Sequence, residues 1–300
     1  MQDRAARRLP RSPLRSTALL AAAGSAVAVV SFQPAMANHS WGTYHWSRVT
    51  TLAIPLDDNV GFAWDSYLRS AAIDWSASPQ IDAVVSAGRS SPATCAPVYG
   101  RVEVCNASYG STGWLGLGQV WTSGGHVVQG TAKLNDTYFN QPQYNTPSWR
   151  RSVMCQEIGH TFGLDHQDIN TTNLNLGSCM DYTRDPSGTR GTNGPLSNER
   201  PNAHDFSQLS LIYTHLDSTQ LSSTKPSGTT VTTTSGPQGR EAALLSRPLG
   251  HVQAEWGRAI RNDARGRPRL FVRDLGGGLE VTTFVLWAEE ADPELGEHEH

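Results

Sequence analysis

The run Gln156-Glu157-Ile158-Gly159-His160-Thr161-Phe162-Gly163-Leu164-Asp165-His166 gathers groups able to hold a metal and move a proton. On a helix, positions 156 and 160 share a face, and a break at Gly163 lets the chain turn so that His166 reaches the same point from another side. Three converging donors with one position open to water suit a catalytic Zn2+. Gln156 would offer a neutral amide oxygen, a poorer donor than imidazole. Glu157 is placed to take a proton from metal-bound water and deliver it to a leaving amine. His126 and His204 lie elsewhere with no ligand spacing. Asp168 is expected to fix the loop after His166 or to orient a ligand imidazole. The Asn and Asp side chains at 168–175 offer oxygens to Ca2+, without the repeated pattern of an EF loop.

These residues resemble the zinc signature of the metzincin metalloendopeptidases, H-E-x-x-H-x-x-G-x-x-H, at every fixed position but the first, where Gln156 stands. Their S-x-M-x-Y signature has a counterpart in Ser178-Cys179-Met180-Asp181-Tyr182. The run from Cys155 to His166 is also similar to a group of secreted actinobacterial proteins with Gln at that position. The resemblance spans roughly residues 45–216 and implies an α+β fold: a metzincin-like catalytic domain with a mixed twisted sheet, active-site helix, Met-turn and C-terminal helix. It implies Met180 as an apolar floor beneath the ligands and Tyr182 as a hydroxyl that steadies the oxyanion. An extended peptide or protein substrate would add antiparallel to an exposed edge strand, GWLGLGQVW by the same similarity.

The elements that must position this run are legible as patterns. WDSYLRSAAIDWSAS places Trp64, Leu68, Ala71, Ala72 and Trp75 near one helical face. VTTLAIPL, IDAVVS, GRVEVC, GWLGLGQVW and VVQGTAKLN read as strands, Val102 and Val104 alternating with Arg101 and Glu103. Helical spacing sets in after Trp149 and ends at Gly163. A last helix is expected over 205–216, with Phe206, Leu209, Ile212, Tyr213 and Leu216 inward and Asp205 as cap. Beyond it, VQAEWGRAI, PRLFVRDL and LEVTTFVLWA suggest three short β segments.

The predicted organisation is a signal peptide over 1–37, a catalytic domain over 38–216, a Ser/Thr/Gly/Pro-rich linker over 217–239 and a small β-rich module with an acidic tail over 240–300. The leader has an Arg-rich start that includes the pair Arg7-Arg8, then an apolar run too short to span a bilayer comfortably, then small residues at Ala35 and Ala37. Its removal leaves 19 basic and 26 acidic residues, a charge of −7 against −3 for the whole chain, which withdraws the electrostatic drive for nucleic-acid binding. No stable membrane span is expected after cleavage, so the mature protein is read as secreted. Four cysteines in an exported chain favour two disulfides among three connectivities, and short consecutive loops favour Cys95 with Cys105 and Cys155 with Cys179. The functional expectation is a zinc metalloendopeptidase. The alternatives are a zinc-binding pseudopeptidase and a secreted binding protein that uses its tryptophans and C-terminal module. Gly-x-Ser-x-Gly does not occur in the mature body, so a serine hydrolase has little support.

Overall fold

The computed structural model describes residues 38–40, 42, 44–217 and 243–289. The proposed leader, nearly all of the linker and the acidic end of the tail lie outside the described residues. The fold is mixed α+β: strands β1 (His45–Trp46), β2 (Leu52–Asn59), β3 (Ile81–Ala87), β4 (Val102–Ala107), β5 (Trp114–Ser123) and β6 (His126–Asn135), with helices α1 (Asp65–Trp75), α2 (Asp136–Phe139), α3 (Pro147–Thr161) and α4 (Ala203–Ile212). Strands β7 (Arg258–Asn262), β8 (Pro268–Gly276) and β9 (Leu279–Trp287) follow. One sheet runs in the order β3-β2-β4-β6-β5-β9-β8-β7, with β1 added parallel to β6. Strands β2, β3, β4 and β6 are mutually parallel; β5 reverses against β6, and β9, β8 and β7 continue antiparallel.

Helix α3 begins at Pro147, earlier than its apolar spacing suggests, because Thr146 accepts from the Trp149 N–H and Pro147 fits the first turn, where no intrahelical partner is needed. It ends at Thr161, and Gly163, two residues on, adopts a φ of +99° that turns the chain out of the helix. Helix α1 buries Leu68, Ala71, Ala72 and Trp75, and the Trp75 indole donates to the Cys155 carbonyl at 3.0 Å, locking α1 against α3. Helix α4 is capped by Asn202, with Asp205 returning the bond as the second member of a capping box. It is shorter than its apolar spacing suggests: Leu209 and Tyr213 are buried, but Leu216 lies beyond the helix and is 59% exposed. Glu103 does not alternate outward; β4 is flanked by β2 and β6, and the carboxylate is buried. Disulfides join Cys95 to Cys105 and Cys155 to Cys179, the second tying α3 to the turn that carries Met180.

Candidate functional site

Among the described residues, the His/Cys/Asp/Glu group placed to hold a metal ion is His45, His215 and Asp217. Strand β1 brings His45 beside His126 of β6, and the segment after α4 returns His215 and Asp217 to the same place. His45 Nε2 lies 2.9 Å from His215 Nε2 and 3.5 Å from Asp217 Oδ1, and His215 Nε2 is 3.6 Å from that oxygen. Zinc–ligand bonds of about 2.1 Å in a tetrahedron separate their donors by about 3.4 Å, so two imidazoles and a carboxylate form one face of such a site. The Arg48 N–H donates to Asp217 Oδ2 at 2.8 Å, and His126 Nε2 lies 3.2 Å from Asp217 Oδ1. Against the pull of partial burial, hydrogen bonds from Arg48, His126 and His45 hold the Asp217 carboxyl down at about 2.

This group corrects the sequence expectation. The reading as a metzincin-type enzyme with Gln156 replacing the first zinc-binding histidine is overturned, because the group placed to hold a metal is His45, His215 and Asp217, with no Gln in the first position. Its donors come from the first strand and from the segment that follows the last helix, so no local spacing announces them. Gln156 sits buried on α3, and its Nε2 meets no hydrogen-bond partner. The 168–175 run offers no evident Ca2+ site: Asp168 Oδ1 accepts from Asn170 N, Asn170 Oδ1 accepts from Thr172 N, and Asn175 donates to the Asp185 and Leu196 carbonyls.

The structure does bring His160 and His166 together, Nε2 to Nε2, at 3.1 Å. Gly163 makes the turn between them. His160 Nδ1 donates to the Leu164 carbonyl at 2.8 Å. Burial and the neighbouring His166 push the His160 pKa well down, and burial brings His166 down to about 4, so both rings are neutral near pH 7. Glu157 is wholly buried on the same helix, and neither carboxylate oxygen meets a hydrogen-bond donor. Its carboxylate lies against β5, where a Cβ at Gly116 would stand 2.3 Å from Oε1 and one at Gly118 3.3 Å from Oε2. The two glycines therefore make room for it. Met180 is buried beneath α3, its Sδ 2.5 Å from where a Gly159 Cβ would stand. The carboxylate beside His166 is Asp165, whose Oδ1 is 3.2 Å from His166 Nδ1, whereas Asp168 fixes its own turn.

The C-terminal strands lie over these groups. The Phe284 ring stacks on His160 with centroids 4.1 Å apart. Arg269 donates to His166 Nδ1 at 2.9 Å and to Asp165 Oδ1 at 2.5 Å, and Arg261 also pairs with Asp165. Tyr182 sets its ring 4.4 Å from His166, but its hydroxyl donates to the Val285 carbonyl at 3.0 Å. Strand β5, expected as an exposed edge, is paired on both sides, by β6 and β9. Sequence reasoning recognised the β pattern of 268–287 but had no signal for its place in the sheet.

No protein-family model matches the chain, and no curated protein matches it. Solved structures similar to it include high choriolytic enzyme 1 (HCE-1), a hatching enzyme zinc-protease from Oryzias latipes (medaka fish), at 14% identity and a TM-score of 0.32, covering 57% of this chain and 94% of that one. Myroilysin is similar at 12% identity and a TM-score of 0.29, covering 56% of this chain and 82% of that one. At TM-scores this low, neither likeness assigns the chain a fold or an activity.

Proposed function

We propose that this chain is a secreted zinc-dependent endopeptidase in which Glu157 is the base and His160 and His166 face the reacting centre. The observation that carries the reading is the Glu157 carboxylate, buried without a partner one helical turn before His160, whose Nε2 converges with that of His166. Burial with no partner pushes the Glu157 pKa well above the ordinary carboxyl value, which makes this group a stronger proton acceptor than a solvated carboxylate. Two nitrogens 3.1 Å apart match one edge of a zinc tetrahedron, which leaves the remaining positions to water and substrate. Zinc bound there would polarise a peptide carbonyl and acidify water.

The chain's own residues then have separable roles. Glu157 accepts the water proton and returns it to the leaving amine. Leu164 holds His160 through Nδ1, and Asp165 does so for His166 when it accepts that ring's Nδ1 proton. The Tyr182 hydroxyl, freed from Val285, steadies the oxyanion. Secretion is supported by the leader pattern and the two disulfides; no helix among the described residues is long and apolar enough to cross a membrane. On this reading 38–216 is the catalytic body and 217–239 the linker. Zinc is also the metal that suits His45, His215 and Asp217, two imidazoles and one carboxylate.

The test compares Arg269→Ala, which frees His166 Nδ1 from the guanidinium, with Arg269→Ala/Glu157→Gln, both zinc-loaded, on denatured protein, following new termini by mass spectrometry over long incubations. Chelator-sensitive cleavage that falls by about 10²- to 10⁴-fold in the double variant is expected for a lost general base. Equal cleavage by both would exclude Glu157 as the base. A second reading has its own observation: the triad presents three donors, and the His215 side chain is 54% exposed, so its fourth position can meet solvent. If the triad carries the hydrolytic metal instead, His215→Ala abolishes cleavage and His166→Ala spares it.

A further inference from the structure

The edge of β5 that faces away from β6 is the natural seat for an extended peptide, because β5 is antiparallel to the parallel part of the sheet and its glycines expose backbone directly over Glu157. That seat is taken by the chain itself. Gly116, Leu117, Gly118 and Gln119 pair with Leu286, Val285, Phe284 and Thr283 of β9, which is backed by β8. Phe284 thereby comes over His160, and Arg269 of β8 reaches His166.

Arg269 also decides where the proton on His166 sits. A guanidinium only donates, so His166 Nδ1 must accept, and the proton of the neutral ring is on Nε2. That N–H faces His160 Nε2 at 3.1 Å, while the proton of His160 is on Nδ1, given to the Leu164 carbonyl. The series Arg269 to His166 to His160 to Leu164 is complete in itself, with one Nε2 protonated and the other already accepting. Neither nitrogen offers a metal a lone pair. Without Arg269, Asp165 Oδ1 is the acceptor 3.2 Å from the same Nδ1, the proton moves there, and two bare Nε2 atoms face each other.

We propose that strands β7–β9 are a built-in occupant of the β5 peptide seat, and that Phe284 and Arg269 keep the His160–His166 pair closed to metal and substrate until these strands are displaced. This rests on reading Glu157, His160 and His166 as the working centre. The ligand class for the vacated seat is an extended peptide that pairs antiparallel with β5, in the manner of 283–286.

The test counts bound zinc by elemental analysis after dialysis in the full chain, in wild type and Arg269→Ala, each also carrying His215→Ala to remove the triad's contribution. Arg269→Ala is expected to add one zinc per chain, lost again with His166→Ala, and to bind a fluorescent peptide of the sequence 279–288 at least tenfold tighter. A second arm needs no substitution within the described residues: a site-specific protease sequence is inserted between 218 and 242, cut, and the nicked chain compared with the uncut chain in low urea. The nicked chain should gain zinc and peptide binding in step with release of its C-terminal fragment, and the uncut chain should not. Unchanged zinc and peptide binding in Arg269→Ala, together with a nicked chain that releases its fragment and gains neither, would overturn the proposal. Gain of zinc and peptide without hydrolysis supports the occupant and removes the endopeptidase reading, so the two fail separately.

Discussion

His215 and His166 belong to two different metal-competent arrangements, and single substitutions should separate them. His215→Ala should reduce the zinc retained by the wild-type fold to near zero, because it leaves two donors of the triad, whereas His166→Ala should leave that zinc in place; metal analysis of the dialysed proteins is the check. Loss of the same zinc in both variants would show that the two groups are not independent. A packing test concerns Gly159: an added Cβ would meet Met180 Sδ at 2.5 Å and the Trp75 ring at 2.6 Å. Gly159→Ala should therefore lower stability by about 1–3 kcal/mol, measured by urea unfolding. The His160–His166 pair was legible because its members lie six residues apart with the turning glycine between them. The triad was not, since His45 and His215 are separated by most of the body, and His126 was visible only as a histidine without a partner. Gln156 shares a helical face with His160, as its spacing requires, but its amide nitrogen is buried without a partner, and the group placed to hold a metal is His45, His215 and Asp217.

Strand β4 makes a pH-dependent contribution to stability. Burial, with Asp57 nearby, pushes Glu103 up to about 7 from an ordinary value of 4.5, although Asn59 donates to it. Between those two values the folded chain holds a proton that the unfolded chain has lost, so this group's contribution to stability is full below about 4.5 and fades as pH rises through 7. Glu103→Gln should flatten that decline, seen as a smaller difference in urea midpoint between pH 5 and pH 8; an unchanged difference would place the titration elsewhere. The strand itself was readable from Val102 and Val104, but its burial on both faces was not, because sheet neighbours set burial and β4 lies between β2 and β6. Helix starts behaved similarly. Thr146-Pro147 and Asn202 are capping signals that extend or fix α3 and α4 where apolar spacing alone misplaces the ends.

Across the whole molecule, two long-range constraints hold the candidate centre: the Cys155–Cys179 bond and the insertion of β9 beside β5. The disulfide closes a separation of 24 residues, so replacing both cysteines by alanine should cost about 3 kcal/mol, within the usual spread of 2–4, by urea unfolding. Loss near zero would mean that packing of Trp75 and Met180 alone fixes the turn beneath α3. The sheet order was the least legible feature, since the strand pattern at 279–288 is the same whether the strand forms a separate hairpin or extends the main sheet. Its partner is settled by contacts far away in sequence, among them Tyr182 with Val285 and Arg269 with Asp165. The most direct measurement of the central claim is peptide-bond cleavage by zinc-loaded Arg269→Ala beside Arg269→Ala/Glu157→Gln, on denatured protein, with chelator as control. The account predicts new termini in the first, at least a hundredfold fewer in the second and none with chelator. Equal cleavage by both, or none by the first at full zinc occupancy of His160 and His166, would contradict it.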